Sequence, residues 1–204
     1  MSWQFFYWGP LLFHTTILPG HLKKLKRICR KDPKLDHRKS LAGIIEHEYT
    51  IELRDYLEIM VPYLSDFNQA AKEWYSFKKG ADIVVTSAWV NYMKAGEFNP
   101  PHIHTADLSF VLFLQVPKEL ELERRQFEGT SSGPGDVVFV HGEYNKPVWT
   151  SNHNIHFPSV GDLIIFPALT QHHVHPFQTK GVERVSVSGN LRYIKDNDWP
   201  NDYF

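Results

Sequence analysis

The sequence has a single cysteine, almost no net charge and no apolar run long enough to span a membrane. Cys29 cannot form a disulfide bond within the chain, which favours a reducing compartment. Lysine and arginine number 22 against 23 aspartates and glutamates, so the formal net charge is -1 and no global field favours DNA or an anionic membrane. We therefore expect a cytoplasmic protein with neither nucleic acid nor a membrane as a partner.

Other missing features concern the domain organisation. The apolar start, residues 1–13, has no basic segment before it and is interrupted by Pro10, so it fits neither a signal peptide nor a membrane span. The chain has no internal repeat and no low-complexity tract. Its 204 residues suit one domain with a sizeable core, so we expect residues 1–204 to form a single domain.

The first 80 residues predict mainly helices. Leucine and isoleucine recur at helical spacing within residues 21–30, among basic residues that indicate a solvated face. A longer apolar and aromatic stripe runs through residues 50–79 and predicts a helix that is kinked or broken near Pro62. We expect both helices to support one face of a sheet formed by the rest of the chain.

Residues 81–204 predict an antiparallel β-structure. Short apolar stretches between turn residues indicate strands at about 82–94, 107–116, 135–141, 146–151, 161–166, 172–177 and 182–194. Strands at this spacing are typical of a sandwich or barrel, so the predicted fold class is α+β. The charged and glycine-rich insert at 117–134 is either a lid or an ordinary surface loop.

Candidate metal ligands lie just ahead of one predicted strand, in the segment Asn99-Pro-Pro-His-Ile-His-Thr-Ala-Asp107. If residues 105 and 106 form a two-residue hairpin loop, His104 and Asp107 are opposed across it. His102 is then the next residue on the same face, because side chains repeat every two residues along a strand. Such a hairpin would bring three potential ligands together.

A second group of histidines, His172, His173 and His175, follows a strand and a proline-bounded turn. These three cannot all be ligands of one metal, because adjacent strand residues point to opposite faces. His141, His153 and His156 lie on intervening strands, where they could contact a substrate or simply lie on the surface.

The last predicted strand alternates strictly between polar and apolar residues. Arg184 and Ser186 share one face with Ser188, while Val185 and Val187 share the other. Because this strand needs a polar interior to face, the pattern indicates a binding cavity.

Together these segments resemble the 2-oxoglutarate- and Fe(II)-dependent oxygenases, and within them a small group that also occurs in bacteriophage genomes. The resemblance covers about residues 80–194. It rests on Trp89-Val-Asn91, Asn99 to His104, Leu108-Ser109, Gly161 to Pro167, His172, and Arg184 to Ser188 with Asn190. It implies a double-stranded β-helix core of the jelly-roll or cupin type over residues 81–204, with helical support from residues 1–80. A phage protein of this kind would act in the host cytoplasm.

The resemblance also implies Fe(II) and 2-oxoglutarate as cofactors and dioxygen as co-substrate. In this reaction 2-oxoglutarate is oxidatively decarboxylated to succinate and CO₂ while a substrate is hydroxylated. We expect a protein or peptide side chain as the substrate, ahead of a small molecule.

The family's spacing implies His172 as an iron ligand and Arg184 as the partner of the 5-carboxylate of 2-oxoglutarate. Arginine suits that role because its planar guanidinium forms two charge-assisted hydrogen bonds with a carboxylate. Ser186, on the same face, could donate a further hydrogen bond, and Tyr92 could add a hydroxyl group.

The first half of the metal motif departs from the family's His-x-Asp or His-x-Glu pattern. The residue two positions after His102 is His104, and the nearest carboxylate belongs to Asp107. Three ligand sets remain open, in which His172 is joined by His102 and Asp107, by His104 and Asp107, or by both histidines. We predict His102, Asp107 and His172, with His104 as the alternative ligand.

Two other function classes fit parts of the pattern. A cupin-like metalloenzyme that does not use 2-oxoglutarate would need the same histidines but would have no use for an inward-facing Arg184. A non-enzymatic β-sandwich binding module would bind no stoichiometric metal.

Overall fold

The computed structural model describes residues 9–75, 82–142 and 152–194, so the strand predicted at 146–151 lies outside the described residues. The described parts contain three α-helices, two short 3-10 helices at Pro33–Leu35 and Arg38–Ser40, and ten strands; the 3-10 helices carry no label below. In chain order these are β1 Phe13–Thr16, α1 Pro19–Ile28, β2 Glu48–Thr50, α2 Leu53–Tyr75, β3 Asp82–Met93, β4 Asn99–His102, β5 Leu108–Gln115, α3 Lys118–Gln126, β6 Val137–Val140, β7 His153–His156, β8 Asp162–Pro167, β9 Gln171–Val174 and β10 Arg184–Ile194. Within these ranges, no helix has both the length and the apolar character that crossing a bilayer requires.

The strands form two antiparallel sheets. The major sheet has six strands in the order β1-β8-β5-β10-β3-β2, and the minor sheet has four in the order β4-β9-β6-β7. Consecutive strands of the chain therefore often lie in different sheets, as in a jelly roll. The arrangement confirms the predicted α+β class, with two antiparallel sheets and few helices.

The alternation along β10 separates two hydrophobic cores. Val185 and Val187 lie in the outer core between the major sheet and the helices, which also contains Tyr56, Met60, Phe67, Phe110 and Leu163. The inner core lies between the two sheets and includes Phe113, Val137, Phe139, Ile164, Phe166 and Val174. The helices thus support one face of the major sheet, as predicted, and leave its other face to the minor sheet and a cavity.

Helix α2 continues through Pro62 instead of breaking there. A proline inside a helix leaves the carbonyl of the residue four positions earlier without its hydrogen bond. Here that residue is Glu58, and both Glu58 and Pro62 are exposed, so water can satisfy the freed carbonyl. The buried side of the helix, with Tyr56 and Phe67, packs on the major sheet on either side of the proline.

The predicted hairpin between His102 and Asp107 does not form. Strand β4 joins the minor sheet and pairs with β9, so the Cα partner of His102 is His172. The next strand, β5, lies in the major sheet between β8 and β10. Residues 103–107 therefore cross from one sheet to the other, and this crossing decides which side chains meet.

The insert predicted at 117–134 begins with α3, which packs against the body of the protein. Leu120 is fully buried in the inner core, and Arg124 forms an ion pair with Asp136 at 2.9 Å. The carboxylate of Glu123 accepts hydrogen bonds from the backbone N–H groups of residues 178 and 179. The contacts of Glu123 tie α3 to the segment before β10, and the ion pair of Arg124 ties it to the start of β6.

Candidate active site

Three histidines meet between the sheets at the crossing from β4 to β5. His102 ends β4, His172 lies opposite it on β9, and His104 is fixed by a hydrogen bond from its backbone N–H to the carbonyl of Ala168 (2.9 Å). One ring nitrogen from each histidine lies within 4.8 Å of the other two. The Nε2 atoms of His104 and His172 are 3.3 Å apart.

Backbone carbonyls set the orientation of two of these rings. Nδ1 of His102 lies 2.7 Å from the carbonyl of Pro100, and Nδ1 of His172 lies 2.9 Å from the carbonyl of Thr170. Each Nδ1–H donates to its carbonyl, which leaves Nε2 as the nitrogen with a free lone pair. This is how metal-binding histidines are usually held.

Burial keeps two of the histidines neutral. Loss of contact with water, together with the charge of the neighbouring His102, lowers the pKa of His172 to about 3 and that of His104 to about 4. Two aromatic rings help to exclude water from these histidines. The ring of Phe166 packs edge-on against that of His172, with 4.8 Å between the ring centroids, and the ring centroids of Trp89 and His104 are 6.0 Å apart. Neutral imidazole is the form that binds a metal ion.

The cluster fits a transition-metal ion. Two nitrogens at about 2.1 Å from one ion, in neighbouring octahedral positions, would lie about 3.0 Å apart. The observed 3.3 Å between His104 and His172 is close to that separation. Imidazole is a suitable ligand for iron among other transition metals, so the donor set is compatible with Fe(II).

Asp107 lies outside this cluster, so the structure does not bring the carboxylate of the predicted ligand set together with the three histidines. Its carboxylate accepts a hydrogen bond from the backbone N–H of Tyr193 (2.9 Å), and its own N–H donates to the carbonyl of Leu191. Asp107 thus fastens the start of β5 to the end of β10. The physical reason is the sheet crossing, which carries residues after His104 towards the major sheet instead of folding them back on β4.

Arg184 is the buried cation at the start of β10. It is only 2% exposed, and its Nη1 donates to the carbonyl of Gly135 (2.9 Å) while Nη2 contacts the sulfur of Met93 (3.0 Å). Burial lowers its pKa to about 10, so it stays charged at neutral pH. Among the described residues no carboxylate forms an ion pair with it, and its Nε has no hydrogen-bond partner.

The polar face of β10 continues from Arg184 through Ser186 and Ser188. Asn91 on β3 lies opposite Ser186 and donates to both serine hydroxyls, at 3.5 and 3.2 Å. Tyr92, by contrast, is on the other face of β3, where its hydroxyl donates to the carbonyl of Cys29 (3.0 Å). Tyr92, predicted to contact the co-substrate, therefore does not line the cavity with Arg184 and Ser186, because neighbouring strand residues point in opposite directions.

One cavity of about 290 Å³ joins the histidine cluster to Arg184. Both sheets line it, with His102 and His172 from the minor sheet and Arg184 and Ser186 from the major sheet. A cavity that holds a metal-binding cluster and a buried, unpaired cation suits a small anion that can also coordinate the metal.

Two lining residues, Glu48 and Asn99, were not predicted as functional. Glu48 lies on the three-residue strand β2 and is 2% exposed. Burial, with a further contribution from the charge of Glu97, raises its pKa to about 7. Little in the sequence indicated this position: Glu48 precedes the short stretch Tyr49-Thr50-Ile51, and a three-residue strand is too short to show which of its side chains face inwards.

The remaining histidines considered from the sequence do not line this cavity. His173 alternates away from His172 on β9, and His175 contacts the hydroxyl of Ser132 at 2.6 Å. His156 instead contacts Asp162 at 3.0 Å.

The fold and the cavity together define a double-stranded β-helix protein in which a histidine cluster that could hold a metal ion and the buried guanidinium of Arg184 line one cavity. A family profile described as "Putative 2OG-Fe(II) oxygenase" matches residues 87–190, just over half of the chain. The chain belongs to this family, whose cofactors are Fe(II) and 2-oxoglutarate and whose co-substrate is dioxygen. A search of curated proteins gave no match.

Solved structures share the fold at low sequence identity. An oxidoreductase of the 2OG-Fe(II) oxygenase family from Burkholderia pseudomallei is 14% identical, with a TM-score of 0.51 over 85% of this chain and 78% of that one. A prolyl-4-hydroxylase from Pseudomonas putida is 18% identical, with a TM-score of 0.50 over 89% and 91%. HygX from Streptomyces hygroscopicus, solved with nickel, 2-oxoglutarate and hygromycin B, is 12% identical, with a TM-score of 0.51 over 94% and 86%. These similarities establish the double-stranded β-helix fold.

Proposed function

We propose that this protein is a single-domain hydroxylase in which His102, His104 and His172 hold Fe(II), and Arg184 with Ser186 holds the 5-carboxylate of 2-oxoglutarate. The proposed substrate is a protein or peptide side chain. Its hydroxylation is coupled to oxidative decarboxylation of 2-oxoglutarate.

The observation that carries the proposal is the presence of a cluster of three histidines and a buried guanidinium without an ion-pair partner in one cavity. Buried charges in proteins are normally paired, because an isolated charge loses its hydration without compensation. A dicarboxylate meets both needs, since one end can coordinate the metal while the other neutralises Arg184. The two Nη contacts of Arg184 hold the guanidinium in place before the ligand arrives.

When bound, Fe(II) and 2-oxoglutarate supply the activation of dioxygen and the oxidation of a C–H bond. The protein's residues position these groups. The carbonyls of Pro100 and Thr170 fix the ring nitrogens, and Arg184 sets the direction in which 2-oxoglutarate extends. Phe139 and Phe166 exclude water beside His172, which strengthens electrostatic contacts there.

The size of the cavity supports a substrate that inserts a single side chain. About 290 Å³ is at the lower end of the range for ligand pockets. Because 2-oxoglutarate would take a large share of that volume, the remaining space suits a group of side-chain size. A peptide residue can enter such a space while the rest of the substrate stays outside.

A second candidate function is a dioxygenase on the same fold that does not use 2-oxoglutarate. The observation that favours it is the donor set of three histidines without a carboxylate, since non-haem Fe(II) oxygenases often use two histidines and one carboxylate. This candidate leaves the buried charge of Arg184 without a role.

The test is anaerobic loading with Fe(II), followed by titration with 2-oxoglutarate and measurement of the metal-to-ligand charge-transfer band. We expect the wild-type protein and Asp107→Asn to give the band, because asparagine keeps an oxygen that can accept from the N–H of Tyr193. His104→Ala should lose it. If Asp107→Asn loses the band and His104→Ala keeps it, Asp107 is a ligand and His104 is not. A wild-type protein that binds Fe(II) but not 2-oxoglutarate would favour the second candidate.

A further inference from the structure

The cavity contains a second polar cluster, formed by Glu48 and Asn99, that the proposed roles of iron and 2-oxoglutarate do not use. Glu48 lies at the edge of the major sheet, where its Cα partner on β3 is Asn91. Asn99 comes from β4 of the minor sheet. The two side chains therefore approach each other from opposite sheets.

Both side chains present oxygen atoms that lack a hydrogen bond. Oε2 of Glu48 and Oδ1 of Asn99 are buried, and neither has a partner among the residues that the structure describes. A Cβ atom built on Gly43 would lie 2.9 Å from Oε1 of Glu48 and 2.5 Å from Oδ1 of Asn99. The Glu48 carboxylate, through Oε1, and Oδ1 of Asn99 are thus close enough for one donor group to reach both, and the lack of a side chain at Gly43 leaves the space between them open.

The polar surface beside this cluster adds further acceptors. Oδ1 of Asn91 and Oδ1 of Asn190 are also buried without a partner in the described part of the chain. The amide NH₂ groups of these two residues are already engaged with serine hydroxyls. A buried site with an excess of acceptors binds a group that carries several donors.

Within the described residues, Glu48 has no cation that neutralises it. The charge of Arg38 acts on Glu48, but its guanidinium forms three hydrogen bonds with the carboxylate of Asp36, the shortest at 2.6 Å. Lys94, another cation of this region, is paired with Glu46 at 2.8 Å. Glu48 is thus left without an ion-pair partner among the described lysines and arginines, and a cationic group of a ligand would supply one.

We propose that Glu48 and Asn99 form a subsite for a cationic group of the substrate, either an ammonium or a guanidinium. The inference deepens the proposed function and rests on it, because it makes the substrate side chain lysine-like or arginine-like. Glu48 supplies the charge, and Asn99 accepts a second hydrogen bond from the same group. Two acceptors that converge on one ammonium are a common way to select it over an apolar chain.

A competing arrangement would satisfy the cluster internally. If the amide of Asn99 turned so that its NH₂ group donated to Glu48, both residues would be paired and no cation would be required. This arrangement predicts no preference between a cationic ligand and a neutral one of the same length.

The experiment compares Nα-acetyl-lysine methylamide with Nα-acetyl-norleucine methylamide, which has the same carbon chain without the ammonium group. Binding is measured by calorimetry on the Mn(II) and 2-oxoglutarate form, which does not turn over. We expect the lysine compound to bind at least tenfold more tightly than the norleucine compound. Glu48→Gln should remove this preference, and Glu46→Gln, on an exposed neighbouring acid, should keep it.

Two further arms identify the source of the cation. The arginine derivative tests a guanidinium, and pentylamine tests a free amine without a peptide backbone. Binding of pentylamine as tight as that of the lysine compound would assign the subsite to small amines, and weaker binding would assign it to a peptide side chain.

Measuring 2-oxoglutarate binding on the same samples separates failure of the cation subsite from failure of the proposed function. Normal 2-oxoglutarate binding with no cation preference, or with a preference that survives in Glu48→Gln, would overturn the subsite alone. A preference that depends on Glu48 in a protein that does not bind 2-oxoglutarate would support the subsite and reject the proposed function.

An independent cluster of metal-ligand type lies elsewhere, between β1, β7 and the start of β8. Nε2 of His14 is 3.2 Å from Oδ1 of Asp162, and Nε2 of His156 is 3.0 Å from Oδ2 of the same carboxylate. All three ligand atoms lie within 4.8 Å of one another. Asp162 is nearly buried and is fixed by a hydrogen bond from the backbone N–H of Ser159 (2.8 Å).

We infer that this cluster binds a divalent transition-metal ion such as Zn²⁺. Two imidazole nitrogens and a carboxylate are a suitable donor set for such an ion, and the rigid position of Asp162 provides an anchor. The cluster shares no residue with His102, His104 or His172, so an ion there would be a second one.

Equilibrium dialysis with Zn²⁺ tests this inference. We expect two ions per wild-type chain, one in His172→Ala, and none in the double variant that adds His14→Gln. His153→Gln, on the same strand as His156, is the control and should keep both ions. A single ion in the wild-type protein, or two ions in His14→Gln alone, would overturn the second site and leave only histidine–aspartate ion pairs.

Discussion

Replacing Arg184 with methionine separates the role of its charge in binding from any role in the fold. In the ligand-free protein the change has two opposing effects. Loss of the hydrogen bond to Gly135 leaves a buried carbonyl unsatisfied, which costs about 1–3 kcal/mol. Removal of a buried charge that has no acidic partner stabilises the folded protein by a comparable free energy, because the charge no longer has to be taken out of water. We expect the free energy of unfolding to change by less than about 2 kcal/mol.

Binding of 2-oxoglutarate should respond far more strongly. Loss of the buried charged partner should cost about 2–5 kcal/mol, which raises Kd about 30-fold or more. At a 2-oxoglutarate concentration of about 100 times the wild-type Kd, the ligand stabilises the wild-type protein by about 2.7 kcal/mol. With Kd raised 30-fold, the same concentration stabilises the variant by only about 0.9 kcal/mol.

Urea unfolding of the Mn(II) form, with and without 2-oxoglutarate, measures both quantities in one assay. Arg192→Met is the matched control, because Arg192 lies on the same strand but is exposed and donates to the carbonyl of Thr105. The control should keep the full stabilisation by 2-oxoglutarate. If Arg184→Met folds and is stabilised as much as the wild-type protein, the assignment of the co-substrate to Arg184 is wrong.

Three further predictions test the site and the packing. His172→Ala should lose the charge-transfer band and His173→Ala should keep it, because the two side chains point to opposite faces of β9. Loss of the band in both variants would mean that the band depends on folding and not on metal binding by His172. Tyr56→Phe should raise the free energy of unfolding by about 1 kcal/mol, because the buried Tyr56 hydroxyl has no partner in the described part of the chain. Tyr63→Phe should lower the free energy of unfolding, because the Tyr63 hydroxyl accepts a hydrogen bond from a backbone N–H at 2.9 Å, and equal changes for the two variants in urea unfolding would refute this difference. Gly189→Ala should destabilise by about 1–3 kcal/mol in the same assay, because the new Cβ would lie 2.4 Å from a backbone oxygen on β3, and a stable variant would show that β10 can shift.

The local alternation along β10 was readable from the sequence because side-chain direction in a strand depends only on residue parity. Arg184 and Ser186 were predicted to face a polar interior and Val187 to face away, and the structure has them so. The same reasoning showed that His172, His173 and His175 cannot all face one site, and the spacing of the family selected His172 among them. Residue types and short-range spacing therefore determined the two sides of the strand.

Which strands became neighbours could not be read in the same way. The segment from Asn99 to His102 contains two prolines, which lack the N–H group that strand pairing uses, so it did not stand out as a strand. Its partner, β9, lies about 70 residues further along the chain. Because this partner is so distant in sequence, the local pattern favoured a hairpin between His102 and Asp107, and that prediction was wrong.

Glu48 and Asp107 show the physical basis of this division most clearly. Both are acids in short, irregular stretches, and nothing in their immediate neighbours distinguishes a cavity residue from a structural one. The pairing of β2 with β3 buries Glu48 beside the cavity, while the crossing to β5 directs the Asp107 carboxylate to the backbone of β10. The sequence by itself determined the α+β class, the polar face of β10 and the supply of histidines. Only the tertiary structure decided which histidines converge and which acid enters the cavity, because those contacts depend on sheet pairings between residues far apart in the chain.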